Sequence, residues 1–521
     1  MPGPAPSLSC VVSAVTSDGG APEPQLLRQD RARMLLRRHW LISVLLAAGL
    51  LLRAASALAY RPALIYVDTL KYLYGASPSA DPLGYRAVLV AIGNLSAVAL
   101  LQHLLGMAMA AGIYAVLLRR GAARWLAALA AAPVLLDAYQ LQMEQMIMPD
   151  VWFEALTVAG LVVVLWRPAL TVPGAVAVGL ILGTSATVAA LGQVLIVPAL
   201  AYVLAAAGGW RRAVELAIPL CVAFALPILG YCSVAYAETG HFWLARGQSN
   251  SGRLAGAADC ATLKLPADVR PLCPTPSEQA RGPDWLEHSA QSPLQQAPLP
   301  RGTSRAALIG VLDSAVEQQQ PVRVAAAIAR DSVRLFALTR DGVESVTPIS
   351  RWQFQTTYPS DPPWVKLGSG NVIIVGVQVQ AFTPFRFHVL RPAYGGRERV
   401  DRPVAALLRF YQLRGGYTPG PLLALFTLLG VAGSVLALLR RGRGSRGRQL
   451  ALACLLFTVT AWLVLLVPDV LEFSWRYQLP ALVTLPPAGV LGSAALLSGR
   501  RAQRESRAER VIETSDLAWI P

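Results

Sequence analysis

In RPALIYVDTLKYLYGASPSADPLGYR, residues 61–86, a carboxylate and an ammonium, Asp68 and Lys71, lie among Tyr66, Tyr72 and Tyr74. A helix over 64–75 would place Lys71 and Tyr72 on the face of Asp68, three and four residues on. As an exposed ion pair, Asp68 and Lys71 would contribute at most about 1 kcal/mol. A carboxylate flanked by aromatic and aliphatic groups is instead partly desolvated, and can serve as a general base.

Two further stretches carry acids beside apolar residues. QLQMEQMIMPDVW, 140–152, holds Glu144 and Asp150 on either side of Pro149, which discourages continuous helix there. Met143, Met146, Ile147 and Met148 make a solvated loop a poor reading. The segment is expected to fold back over helix ends and bring its acids toward Asp68. Carboxylates converging from two loops offer oxygen ligands to a divalent cation, Mg or Mn; the plain alternative is two acids facing water. In VPDVLEFSWRYQLPALVTLPPAG, 467–489, Asp469, Glu472 and Arg476 have helical spacing and would share one face. Trp475 and Tyr477 fit an aromatic belt at a membrane interface. Arg476 fits an anion clamp, because its fork of donors matches phosphate.

The rest of the chain says where such groups sit. Of 521 residues, 54% are hydrophobic and only 15% charged, against about 25% charged in soluble domains. Mean hydropathy is +0.47. This is the composition of a polytopic membrane protein, rich in small residues that suit helix packing in lipid. The net charge of +16 is not a nucleic-acid signature, because the Arg residues cluster between apolar runs, as topology signals do.

Spanning the hydrocarbon core takes about 20 apolar residues. Candidate spans are 40–59, 90–118, 124–140, 150–166, 170–189, 191–207, 213–236, 418–439, 449–468 and 477–498, with 83–93 as a separable interfacial turn. Residues 1–39 read as a disordered basic cytoplasmic N-terminus and 40–236 as a transmembrane module. An outer segment, 237–417, precedes the last three helices at 418–498, and 499–521 forms a basic cytoplasmic tail. With the first Arg cluster inside, alternation puts every later Arg cluster inside as well, and both termini are cytoplasmic. Asp68, Glu144, Asp150, Asp469 and Glu472 then fall outside. Within the outer segment, 304–338 reads as two amphipathic helices broken at Pro321, and VIIVGVQVQAF as a short strand. The fold class is therefore an all-α membrane protein of about ten transmembrane helices, with a mixed α/β extracytoplasmic domain before the last three.

Cys260 and Cys273 fall in the outer segment, where an oxidising exterior favours a disulfide over two free thiols. No second Cys or His pair accompanies them as a metal site would require. Soluble-enzyme signatures such as GxxxxGK[ST], GxSxG and HExxH are absent. Inside the apolar runs, Arg53 lies about 9 Å from the outer end of its span at 1.5 Å per residue. It can snorkel outward or mark a functional site. Gln102 and His103 suit interhelical hydrogen bonds.

The pieces YVDTLKYLY, DPLGYRAVL, LQHLLG, LQMEQMIMPDVWFEAL and FSWRYQLPAL occur in an order that resembles the GT-C superfamily of polyprenyl-phosphate-sugar-dependent glycosyltransferases. Protein O-mannosyltransferases and lipid A aminoarabinose transferases belong to it. The outer stretch GRLAGAADCATLKLPADVRPLCP also resembles an insert in actinobacterial members of this class. One departure is that Asp68 is followed by Thr69, where O-mannosyltransferases carry an acidic pair.

The resemblance implies transfer of a sugar from a polyprenyl-phosphate donor to a glycan, lipid or protein acceptor of the cell envelope, at the outer face of the plasma membrane. Asp68 would be the base. Arg476, with Lys71, Arg86, Tyr477 and His103, would bind substrate or the lipid phosphate. Glu144, Asp150 and Glu472 would position the acceptor or a cation. The alternatives are a transporter or flippase of a lipid-linked substrate and a non-catalytic scaffold. A transporter favours polar groups at the bilayer midplane, and a scaffold has no need of Asp68.

Overall fold

The computed structural model describes residues 34 and 37–516, apart from 67, 75–80, 246–249, 341–348, 359–364, 369–370, 375–398, 440–444 and 472. Each apolar run contains a helix. In chain order these are α1 (Trp40–Ala59), α2 (Thr69–Tyr74), α3 (Gly84–Ile92), α4 (Leu95–Arg119), α5 (Arg124–Leu136), α6 (Ala138–Gln145), α7 (Asp150–Trp166), α8 (Val172–Val188), α9 (Ile196–Ala206) and α10 (Trp210–Thr239). The outer segment follows with α11 (Ser251–Ala257), α12 (Pro276–Gln279), α13 (Pro283–His288), α14 (Pro293–Gln296), α15 (Arg305–Gln319), α16 (Pro321–Arg334) and α17 (Arg402–Leu413). Three helices close the chain: α18 (Gly420–Leu439), α19 (Ser445–Asp469) and α20 (Leu479–Asp516).

The expected ten crossings exceed what helix length shows. Among the described residues, five helical segments are long and apolar enough to cross a membrane: Trp40–Ala59, Leu95–Arg119, Trp210–Thr239, Gly447–Asp469 and Trp475–Leu497. The pair α5 and α6, bent by 51°, makes a sixth if counted as one span. Val172–Val188, Ala190–Ala206 and Gly420–Val435 are apolar but shorter. The expected run 90–118 is two helices, because Gly93 is left-handed (φ 67°) and Asn94 caps α4 by accepting from the Ala97 amide.

Helix faces follow composition. In α1 the buried residues are Ile42, Gly49, Arg53, Ser56 and Ala59, while Leu50 and Leu51 are exposed. On α10, Ile218, Val222, Leu226 and Leu229 form an exposed apolar stripe. Apolar faces of this size belong against lipid or another protein. Helices α8 and α10 touch backbone to backbone: a Cβ on Gly183 would stand 2.2 Å from the Phe224 carbonyl oxygen, the close approach that small residues permit.

The outer segment folds around its own small core, which includes Leu254, Leu272, Leu286, Leu308, Leu312 and Val316. Cys260 and Cys273 are joined by a disulfide within it. Pro321 separates α15 from α16. Strand β1 (Tyr60–Arg61) pairs antiparallel with β4 (Arg399–Val400), and β2 (Val365–Gly368) with β3 (Asn371–Ile374). Only the start of the expected strand VIIVGVQVQAF is described; the remainder lies outside the described residues.

In α15, Asp313 accepts from the Ser251 hydroxyl at 2.5 Å. Burial, helped by Glu287 and Glu317, pushes its carboxyl up to about 6. An acid that is raised on folding loses stability as pH climbs from its unfolded value near 4 through 6. Asp313→Asn is therefore expected to melt higher than wild type at pH 7.5, with the difference vanishing near pH 4. Thermal scans of the detergent-solubilised protein across that range check this, and a variant less stable than wild type at pH 7.5 would contradict it.

Candidate functional site

The site begins with a break in a helix. Pro133 lies in the last turn of α5, which ends at Leu136. Asp137 then caps α6, its Oδ1 accepting from the Tyr139 amide at 2.9 Å. A helix end leaves four carbonyls without intrahelical partners, and here each finds one. Pro133 O accepts from the Asp137 amide, Val134 O and Leu135 O from Arg53, and Leu136 O from the Tyr411 hydroxyl. Arg53 thus turns inward rather than snorkelling, and is 2% exposed.

The same guanidinium fixes Glu144. Its Nη2 donates to Glu144 Oε1 at 2.7 Å, and His103 Nδ1 lies 2.9 Å from Oε2. The other ring nitrogen of His103 is 2.8 Å from Gln145 Oε1, and Gln145 donates to the Tyr60 carbonyl. Gln102 donates to the Glu144 and Met146 carbonyls and accepts from the Tyr85 hydroxyl. This corrects two expectations. Glu144 is fully buried with both oxygens taken, so it is no ligand for a cation or acceptor beside Asp68. The His103 ring is held by Glu144 and Gln145, so it does not face a lipid phosphate.

Past Glu144 the chain is stitched to the segment that carries Leu64 and Thr69. Leu64 N donates to Gln145 O, Ile147 N to Leu64 O, and the Thr69 hydroxyl to Ile147 O. Of the expected helix over 64–75 the described part is Thr69–Tyr74, and Leu64 is instead held in extended pairing by Gln145 and Ile147. Asp68 stands in the turn before α2, and Asp150 opens α7.

Arg476 joins them. Its Nη1 donates to Asp68 Oδ2 at 3.1 Å, and its Nε lies 3.1 Å from Asp150 Oδ1. The side chains of Arg476, Asp68 and Asp150 are 18%, 33% and 18% exposed. Tyr477 lies with its ring centre 5.5 Å from the Arg476 guanidinium carbon. The expected shared face of Asp469, Glu472 and Arg476 is not formed. Helix α19 ends at Asp469, one residue after Pro468, and Asp469 accepts from Ser332. Arg476 belongs to a separate one-turn helix, Trp475–Gln478. Glu472 lies outside the described residues. Lys71 is in α2, but its side chain is not among the described ones. Arg86 is half-buried in the first turn of α3, and no described ion pair joins it to the Asp68 group.

Residues from the outer segment complete the site, and the sequence reading passed over them. Trp352, 4% exposed, packs its ring 4.9 Å from that of Tyr66 and 5.7 Å from the Arg476 guanidinium carbon. Arg351 donates to the Tyr66 hydroxyl at 3.2 Å. Burial, with the Asp68 charge nearby, pushes that hydroxyl up. The adjacent Arg–Trp pair at 351–352 was the available signal. The cavity beside Arg476, lined by Tyr139, Gln142, Trp352 and Trp475, holds about 10 Å³, room for roughly one water.

Among the described residues, the expected cation ligands are engaged otherwise. Asp68 and Asp150 both face Arg476, and Glu144 is closed off. Among the described residues, no group of three or more His, Cys, Asp or Glu is arranged to hold a metal ion.

No protein-family model and no curated protein matches the chain. Among solved structures, it is similar to an oligosaccharyltransferase from Archaeoglobus fulgidus in the apo form. Identity is 14% over 91% of this chain and 52% of that one, with a TM-score of 0.40. It is also similar to the oligosaccharyltransferase AglB of the same organism in complex with an inhibitory peptide and a dolichol-phosphate, at 13% identity, 91% and 52% coverage and a TM-score of 0.37. ArnT from Cupriavidus metallidurans in the apo state shows 14% identity, 87% and 77% coverage and a TM-score of 0.31. The chain spans about half the length of the two archaeal structures. At these values the likeness leaves the chemistry to be argued from the site residues.

Gly106 faces the buried network, where a Cβ would stand 2.0 Å from Glu144 Oε1 and 2.7 Å from Arg53 Nη2. Gly106→Ala is expected to cost about 2–4 kcal/mol by displacing a buried charge pair. Leu100→Ala, on an exposed face of the same helix, should change little. Melting midpoints of the two variants decide; equal midpoints would refute the network's structural role.

Proposed function

We propose that the protein is a membrane glycosyltransferase. In this reading it takes a sugar from a polyprenyl-phosphate donor and passes it to a hydroxyl of a cell-envelope acceptor, at the outer face of the plasma membrane. The observation that carries the reading is the meeting of Asp68, Asp150 and Arg476, from three chain segments, at one end of the helix bundle. A candidate base beside a phosphate-matching guanidinium is what transfer from a lipid phosphate requires. The motif order that resembles GT-C enzymes supports the same chemistry.

The reaction follows from these groups. The acceptor oxygen attacks the anomeric carbon, and the bond from that carbon to the phosphate oxygen breaks. Its electron pair leaves with the polyprenyl phosphate, and Asp68 takes the hydroxyl proton. Arg476 has five N–H donors, so it can receive the developing phosphate charge as its hold on Asp68 loosens. A carboxylate released from a guanidinium is a stronger base. Asp150 keeps Arg476 aimed, and Trp352 and Tyr66 supply an apolar wall of the kind on which a sugar or lipid stacks. In this topology the Arg-rich ends of the helices are cytoplasmic. The buried charges around Arg53, on which a transport reading would draw, close on each other and on helix ends.

Purified protein offered labelled polyprenyl-phosphate sugars and an envelope acceptor pool tests the proposal. Asp68→Asn is expected to lower kcat by about 100-fold or more while folding is retained. Arg476→Lys keeps the charge but loses the fork, and should lower kcat about tenfold or more. Transfer by Asp68→Asn at the wild-type rate would remove Asp68 as the base, and absence of transfer by wild type from every such donor would remove the reaction.

A further inference from the structure

Two sizeable cavities lie away from Asp68 and Asp150. Helix α7 runs from Asp150 at the outer site to Trp166, about 24 Å at 1.5 Å per residue. At that far end, a cavity of about 600 Å³ is walled by Arg119, Arg120 and Arg167 together with Trp166. A second of about 850 Å³ shares Trp166 and Arg167 and extends along Val162, Val163, Leu170 and Pro173, between α7 and α8. A cationic mouth leads into an apolar cleft.

The plainer accounts leave part of this unexplained. Arg clusters at helix ends orient membrane proteins. They also satisfy helix-end carbonyls, and here Arg120 donates to the Leu165 and Arg167 carbonyls and Arg119 Nε to that of Trp166. Capping accounts for Arg120. It leaves the terminal nitrogens of Arg119 and the guanidinium of Arg167 with no described hydrogen bond to protein. It also pre-orients Arg119, whose guanidinium carbon lies 4.5 Å from the centre of the Trp166 ring. Neither orientation nor capping requires a cavity, or an apolar cleft opening from it.

We propose that this cavity binds an anionic phospholipid, its phosphate between Arg119 and Arg167 and an acyl chain in the cleft along α7 and α8. Arg matches phosphate oxygens with paired donors, and basic pockets between membrane helices hold anionic headgroups. A free phosphate would use the Arg pair alone, so the apolar cleft is the reason for assigning a lipid. The site stands at the opposite end of α7 from the proposed transfer chemistry and does not depend on it.

Native mass spectrometry of the full chain, exchanged from detergent into phosphatidylglycerol or phosphatidylcholine, tests this. Wild type is expected to retain phosphatidylglycerol in preference, and the double variant Arg119→Gln/Arg167→Gln to lose retention about tenfold. Arg211→Gln removes a cation from the same Arg-rich face outside the cavity and should leave retention unchanged. Arg119→Lys/Arg167→Lys preserves the topology charge; it should insert as wild type does and bind more weakly, which separates lipid binding from misfolding. Competition with water-soluble glycerol phosphate should fail. Equal retention of phosphatidylcholine by wild type, an equal loss in Arg211→Gln, or displacement by glycerol phosphate would each overturn the proposal.

Discussion

The guanidinium of Arg53 and the broken end of α5 hold each other in place. Burying an arginine in an apolar bundle costs several kcal/mol unless its donors are met. Leaving helix-end carbonyls unpaired in the same surroundings costs a comparable amount. Arg53 donates to Val134 O and Leu135 O and to Glu144 Oε1, so each burial answers the other. The arrangement has little slack: Glu144 and Arg53 press against α4 where Gly106 has no side chain. Removing one partner of such a pair costs about 3–5 kcal/mol, because the other is left charged and alone.

From that joint the site around Arg476 is built by backbone pairing. Glu144 fixes α6, and the residues after it run as an extended segment that takes Leu64 and Thr69 onto its edge. Asp68 follows from Thr69, and Asp150 from Met148 and Pro149. The far half of the chain is tied to the same break. The Ala138 amide donates to Gly416 O and the Thr418 amide to Asp137 Oδ2. Arg476 enters from the turn before α20 and meets two carboxylates already positioned by the first half.

Hydropathy made the apolar runs legible, and each run contains a helix. It did not give span lengths, since α8 and α9 are short and α5 breaks at Asp137, where capping and a proline outweigh apolarity. Pro321 marked the break in the outer helices. The meeting of Asp68, Asp150 and Arg476 was foreshadowed by placing all three on one face. The fate of Glu144 was not legible: it stands among glutamines and methionines in sequence, and only packing chose Arg53 and His103 over water. Asp469 and Arg476 looked like one helical face because spacing cannot show where a helix stops. Trp352 escaped notice because it reaches Arg476 across more than a hundred residues of chain.

Two sets of charges therefore coexist, and their surroundings give them different work. Around Arg53, exposure is 3% or less and each charge faces another charge, an amide or a helix end. At low dielectric, exchanging any of those partners for water or ligand is costly, so the set acts as fixed framework. Around Arg476, exposure runs from 18% to 33%, the effective dielectric is higher, and each ion pair is correspondingly weaker. One guanidinium is shared between two carboxylates, so in the proposed reaction a phosphate at Arg476 would displace only one of them. The small cavity there is lined by Trp352 and Trp475, so the segment that carries Trp352 borders the shared guanidinium. The buried pair is thus held more strongly than the partly exposed triad of Asp68, Asp150 and Arg476.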